Sequence, residues 1–148
     1  MGKPAGADYL SDDLKHLSRS GYDAIVSLLE TRESSELGLS EQEALCKKHG
    51  IRFDQLSIPD RSTPPDRTKF IASVKRSHQA IVTGEHLVAH CRAGIGRSGI
   101  YTTSVLIRQG MKAEDAFALV SKARGITIPD TQIQRDWVHE HYEAIRQG

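Results

Sequence analysis

Residues 86–107, HLVAHCRAGIGRSGIYTTSVLI, join a short apolar run to a glycine-rich turn and then to a second, longer apolar run. A run of about five apolar residues closed by a turn suits a strand buried on both faces, and such strands belong to parallel sheets covered by helices. RSGIYTTSVLIRQG, after the turn, is apolar on most sides and predicts a central helix. A strand and helix of this kind need partners to bury them, and the rest of the chain offers several. DAIVSLL (23–29) and IRFDQLSI (51–58) are apolar and β-branched enough for two more strands. SEQEALCKKHG between them predicts a helix, with Ser40 as N-cap, Glu43 completing a capping box and Gly50 just past its end. Phe70, Val74, His78 and Ile81 mark one face of a helix that runs to about Thr83 and stops at Gly84. AEDAFALVSKARG and DTQIQRDWVHEHYEAI predict two amphipathic helices. The alternation gives an α/β fold with a mainly parallel central sheet flanked by helices.

Composition narrows the function. With 148 residues and 38% hydrophobic residues, residues 1–148 are expected to form a single domain around one core. The net charge of +1 gives no general attraction to nucleic acid or to an anionic membrane, so any positive field must be local. No window approaches the roughly 18 apolar residues of a membrane span, and MGKPAGADYL lacks the apolar stretch of a signal peptide. A cytoplasmic protein is expected. Two widely separated cysteines form neither a disulfide framework nor a zinc motif, so a free thiol in a reducing compartment fits better.

The turn HCRAGIGRSG then carries the chemistry. It lies at the carboxyl end of a strand and the amino end of a helix, the edge where open α/β sheets bind ligands. Gly94 and Gly96 let the backbone curl so that successive N–H groups point inward, and the helix terminus adds partial positive charge. Such a cradle suits an oxyanion such as phosphate. Cys91, at the first position of the turn, would lie beneath the anion, where the dipoles and Arg97 lower its pKa from about 8.5 into the roughly 3.5–7.5 range of activated thiols. Arg97 follows after five intervening residues, and its planar fork can hold two phosphate oxygens.

Cys91, five residues, then Arg97 and Ser98 resemble the phosphate loop of the cysteine-dependent protein-tyrosine phosphatase superfamily. From Tyr22 to Tyr142 the chain is similar in motif order and length to the small atypical dual-specificity phosphatases, with VSLLE, IPDRSTPPD, the loop and QRDWV in sequence. The resemblance implies a dual-specificity phosphatase-like fold, no cofactor and no metal. It also implies that Cys91 is the nucleophile that forms a phosphocysteine, that Arg97 clamps the phosphate, and that Ser98 donates to the sulfur. Arg92, Ala93, Gly94, Ile95 and Gly96 would complete the phosphate cradle, mainly through backbone N–H groups. Asp60 matches the family's general acid, with Asp66 and Asp54 as rivals, Asp66 better placed to cap a helix and Asp54 inside a strand. Gln134, or Gln132 beside it, matches a glutamine that positions the hydrolytic water in some relatives.

The implied partner is a phosphorylated protein or a small phosphate monoester, with no nucleic acid and no membrane involved. Arg92 stands where many relatives have a small residue, and relatives acting on phosphoinositides or phosphoserine-proline sites often have a basic one. It hints at extra negative charge on the substrate, although the second basic residue of the lipid-phosphatase pattern is replaced by Ile95. Arg92 can equally be a rim arginine paired with a loop carboxylate, and Arg61 and Arg67 can extend a basic rim or be scattered surface charges. The alternative functions are a small-molecule or inositol-phosphate phosphatase and a phosphate-binding pseudophosphatase; a sulfur transferase leaves Ser98 and the acid loop unexplained. His86 and His90 lack the glutamate of HExxH; His90 is expected to bond the loop backbone. Cys46 is expected to be a buried thiol, with a protective disulfide to Cys91 as the alternative. The short N-terminus expects either a missing edge strand or a degenerate one in residues 1–9, and a shallow site.

Overall fold

The computed structural model describes residues 1–148. Three strands, β1 (Ala24–Ser27), β2 (Arg52–Gln55) and β3 (Leu87–His90), form a parallel sheet in the order β2-β1-β3. Ala24 is in register with both Arg52 and Leu87, and Ser27 with both Gln55 and His90. All four residues of β1 are buried, as expected of the middle strand of a covered parallel sheet. The strands are shorter than the apolar runs that announce them: Leu28, Leu29 and Ile58 lie past the strand ends but remain in the core, and Leu28 still donates to His90 O at 2.9 Å and accepts from Ile58 N at 3.2 Å.

The helix after the glycine turn, α5 (Arg97–Arg108), organises the packing. Nine of its twelve residues are buried, and it contacts α4 (Arg67–Val82), α6 (Ala113–Arg124), α7 (Gln132–Glu140) and α8 (Tyr142–Gln147). A second group consists of α1 (Leu10–Arg19) and α3 (Gln42–Lys48), packed on each other, with α3 against β2. Phe70 joins the helical layer through edge-on contacts with Tyr101 and Trp137 at centroid distances of 5.6 and 5.0 Å.

Several local expectations change. In α4, Ser73 and Ser77 are buried beside Phe70 and Val74, each with its hydroxyl 2.8 Å from Tyr101 Oη, and His78 is only half-buried. Helix α3 begins at Gln42 without the Ser40–Glu43 capping box. Buried Leu39 accepts the Gln42 N–H at 3.0 Å, and the buried Gln42 side chain reaches His90, so burial rather than a polar cap sets this terminus. The expected C-terminal helix is broken at His141, whose Nδ1 lies 2.8 Å from the Trp137 carbonyl oxygen while its ring stacks on Trp137. A short helix, α2 (Thr31–Glu36), was not expected: it buries no residue and carries no apolar periodicity. Residues 1–3 form no strand but follow the free edge of β3, with Met1 N donating to Ala89 O and Lys3 N to Arg92 O. No helix is long and apolar enough to cross a membrane.

Candidate active site

Loop 91–96 links β3 to α5. Gly94 adopts φ +76°, the left-handed region that glycine tolerates, and its N–H points at Cys91 Sγ at 3.3 Å. Ser98, in the first turn of α5, places its hydroxyl 3.3 Å from the same sulfur. Cys91 is only 3% exposed. Burial alone would push its thiol up. The hydrogen bonds from Ser98 and Gly94, together with the charge of Arg97, outweigh burial and bring it below the ordinary value.

Arg97 is 1% exposed, and a buried guanidinium must be fully paired. Glu33 holds it with two parallel bonds, Nη1 to Oε2 at 2.7 Å and Nη2 to Oε1 at 2.9 Å. Nη1 also donates to the Ile58 carbonyl at 3.1 Å, and Nη2 lies 3.0 Å from Asp60 Oδ1. Bonding to Arg97 holds the Glu33 carboxyl below the usual carboxylate range, despite the opposing effect of burial. Sequence reasoning missed Glu33, which lies in the polar stretch TRESSE; the signal pointing to it is the need of a buried arginine for a fixed carboxylate.

Asp60 stands on a turn closed by Ser62 N donating to Pro59 O at 3.1 Å, and its side chain is 57% exposed. Arg61 beside it has φ +55°, unusual for a residue other than glycine, and pairs with Asp130 at 3.2 Å. Gln134 is buried and donates through Nε2 to Ser62 O at 3.0 Å, while its Oε1 accepts from Thr131 N at 3.2 Å. The 130s segment therefore grips the Asp60 turn at two points. Gln132 instead faces solvent and pairs with Asp136.

These groups surround a cavity of about 150 Å³, lined by Asp60, Arg61, Cys91, Arg92, Ala93, Ile95, Gly96, Arg97, Asp130 and Gln134. Larger hollows of about 340 and 410 Å³ lie elsewhere, the first beside Phe53 and Arg76 and the second beside Arg67, and neither contains a nucleophile. Arg67 therefore stands apart from the site. Asp66 caps α4 by accepting from Lys69 N at 3.0 Å, and Asp54 pairs with Arg76 at 2.9 Å, so both rivals of Asp60 are engaged away from the cavity. Arg92 is exposed, with Nε 3.8 Å from Glu33 Oε1. His90 Nδ1 lies 3.4 Å from the Cys91 carbonyl oxygen and its Nε2 lies 2.9 Å from Gln42 Nε2; burial pushes its pKa down to about 4. Cys46 and Cys91 are both free thiols, and burial pushes Cys46 up to about 11, far from thiolate reactivity at neutral pH. No group of three or more His, Cys, Asp or Glu side chains is arranged to hold a metal ion.

A nucleophilic sulfur, a paired arginine and a carboxylate meeting at one small anion-sized hollow are the parts of an ester-cleaving phosphate site. Residues 1–111, three quarters of the chain, match the family described as "Tc-R-P: Polymorphic toxin system, DSP-PTPase phosphatase". The chain belongs to this family. It is a cysteine-dependent phosphatase of the protein-tyrosine and dual-specificity type, which hydrolyses phosphate monoesters through a phosphocysteine. Among curated proteins, this DSP-PTPase phosphatase is similar to "Protein tyrosine phosphatase type IVA 3" of Bos taurus, 26% identical over 125 residues, covering 84% of this chain and 68% of that protein. It is also similar to "Putative tyrosine phosphatase 123R" of Invertebrate iridescent virus 6, 25% identical over 122 residues, covering 82% of this chain and 75% of that protein. Its fold matches that of kinase associated phosphatase with a TM-score of 0.88 at 19% identity, covering 99% of this chain and 86% of the other. It matches Tk-PTP in the active form with a TM-score of 0.80 at 24% identity, covering 96% and 88%. The small parallel sheet flanked by helices is thus the fold of this superfamily.

Proposed function

We propose that residues 1–148 act as one catalytic domain that removes phosphate from phosphoproteins, with Cys91 as nucleophile, Arg97 as clamp and Asp60 as acid and base. The observation that carries this reading is the convergence of Cys91 Sγ, the Arg97 guanidinium and the Asp60 carboxylate on one cavity of about 150 Å³, a volume suited to a phosphate group. In the first step the Cys91 thiolate attacks phosphorus, the bond to the ester oxygen breaks, and that oxygen takes the proton of Asp60. Backbone N–H groups of residues 92–96 and the Arg97 fork meet the charge spreading over the equatorial oxygens. In the second step water attacks the phosphocysteine, Asp60 accepts its proton, and the sulfur departs as a thiolate stabilised by Ser98. Gln134, beside the Asp60 turn, orients that water.

The cavity mouth favours broad substrate choice. Its apolar lining is limited to Ala93 and Ile95, with no aromatic wall to demand a phenyl ring, and Asp60 lies more than half exposed. Short phosphoserine and phosphothreonine side chains can therefore reach Cys91 as well as phosphotyrosine. A second reading, an inositol-phosphate or other small-molecule phosphatase, is favoured by exposed Arg92 at the mouth, loosely paired with Glu33 at 3.8 Å and able to turn to a second anionic group.

The deciding experiment is phosphate release from an aryl phosphate between pH 5 and 8, for wild type and Cys91→Ser, followed by phosphopeptide and inositol-phosphate panels. The expected result is turnover in wild type only, with phosphate still bound by the variant and phosphopeptides preferred. Phosphate binding without turnover in wild type would instead make the chain a pseudophosphatase, and inositol phosphates outperforming every peptide would select the second reading.

A further inference from the structure

An inward-facing ring of N–H groups requires the carbonyls of the same peptide units to face outward, where something must hold them. In this chain four outward carbonyls around the loop are held by two elements distant in sequence. Met1 N donates to Ala89 O at 2.6 Å, and Lys3 N to Arg92 O at 3.1 Å. Arg124, the last residue of α6, donates through Nε to Gly94 O at 3.0 Å and through Nη2 to Ala93 O at 3.3 Å. The fit is close: a Cβ on Gly94 would lie 2.4 Å from the Met1 carbonyl carbon and the Gly2 nitrogen.

We propose that Arg124 and the backbone of residues 1–3 form a clasp that orients the phosphate cradle from its outer side, making Arg124 a positioning residue for catalysis. The proposal rests on the phosphatase reading above. Peptide units that can rotate would carry their N–H groups away from the anion, and the clasp removes that freedom before substrate arrives. Arg124 lies outside the cavity, so its action passes through Ala93 and Gly94 rather than through substrate. Residues 1–3 do the same for Arg92. Sequence patterning marks neither element, since Arg124 closes an amphipathic helix and residues 1–3 carry no apolar run.

The test compares Arg124→Met, which keeps length and loses both donors, with Arg124→Lys, which keeps one, and Lys3→Pro, which deletes the other donor to the loop. The readouts are the inhibition constant for inorganic phosphate, kcat and KM on an aryl phosphate, and the melting temperature. Outer hydrogen bonds that orient ligating groups are worth about 10–100-fold in metal sites, and a loss of about tenfold is expected here. Arg124→Met and Lys3→Pro should weaken phosphate inhibition and lower kcat by about tenfold while still folded, with Arg124→Lys between Arg124→Met and wild type. Folded Arg124→Met within twofold of wild type in both quantities would overturn the clasp. Losses that follow the unfolded fraction in all three variants would overturn it equally, reducing these contacts to folding elements. A wild type without Cys91-dependent turnover would defeat the phosphatase reading alone, since phosphate affinity still reports on the clasp.

Discussion

At the residue scale, three carboxylates, two of them bound to Arg97, separate by environment. Glu33 is largely buried and doubly bonded to Arg97, which fixes it as an anion. Asp60 touches the same guanidinium but is 57% exposed and faces the cavity. Asp66, the rival acid, is committed to the first turn of α4. Asp60→Asn is expected to slow turnover of an alkyl phosphate by about 10²–10⁴-fold, the usual range for a lost general acid, and to matter least where the leaving group needs no proton. Asp66→Asn should leave turnover intact. Comparing both variants on a good and a poor leaving group checks the assignment, and an Asp66→Asn enzyme crippled only on the poor one would reverse it. Cys91, Arg97 and Ser98 are legible in sequence because their spacing alone brings them into one turn. Glu33 is not, because its role exists only when α2 meets α5 across 64 positions of chain.

At the element scale, a strand of four residues, a turn and the amino end of α5 produce the cradle, and the 130s segment closes it. The strands and the larger helices are readable because burial imposes a period on them. Three features escape that signal: α2 has no buried face, α3 starts where Gln42 anchors to His90, and the break at His141 follows from a side chain bonding its own helix. Gly96 shows how closely the elements meet, since a Cβ there would lie 2.8 and 2.9 Å from the Gln134 amide atoms and 3.2 Å from Asp130 Cβ. Gln134 has little room to yield, being tied to both Ser62 and Thr131. Gly96→Ala should therefore push Gln134 off the Asp60 turn, lowering kcat by about tenfold or more while phosphate inhibition changes less. Gln134→Ala should reproduce that pattern. A Gly96→Ala enzyme with normal kcat and weakened phosphate inhibition would mean that the glycine serves the cradle alone.

At the scale of the whole molecule, the site and the core share a buried histidine. His90 ends β3, backs the Cys91 peptide and faces Gln42, and burial brings its pKa from 6.5 to about 4, aided by the positive charges of the Met1 amino group, Arg97 and Lys3. The unfolded chain takes up a proton near pH 6.5 that the folded chain refuses until about pH 4, so unfolded molecules bind more protons throughout that window. Stability from this group is complete above about pH 6.5 and declines as pH falls, the full gap being worth about 3 kcal/mol. Glu33, lowered by Arg97, acts in the same direction at still lower pH. His90→Asn removes the first of these titrations while leaving the other six histidines in place. Urea unfolding at pH 7 and pH 4.5 should show wild type losing about 2 kcal/mol more than His90→Asn on acidification, even if the variant is the less stable protein at pH 7. Equal losses would mean that His90 accepts a proton in the folded state, with Gln42 turning its amide oxygen toward the ring. The difference bears on function because acidification lowers the share of folded enzyme through His90, whatever happens to Cys91. An acid limb of activity that moves in His90→Asn would then reflect loss of the folded enzyme, and one that stays would belong to the active site itself.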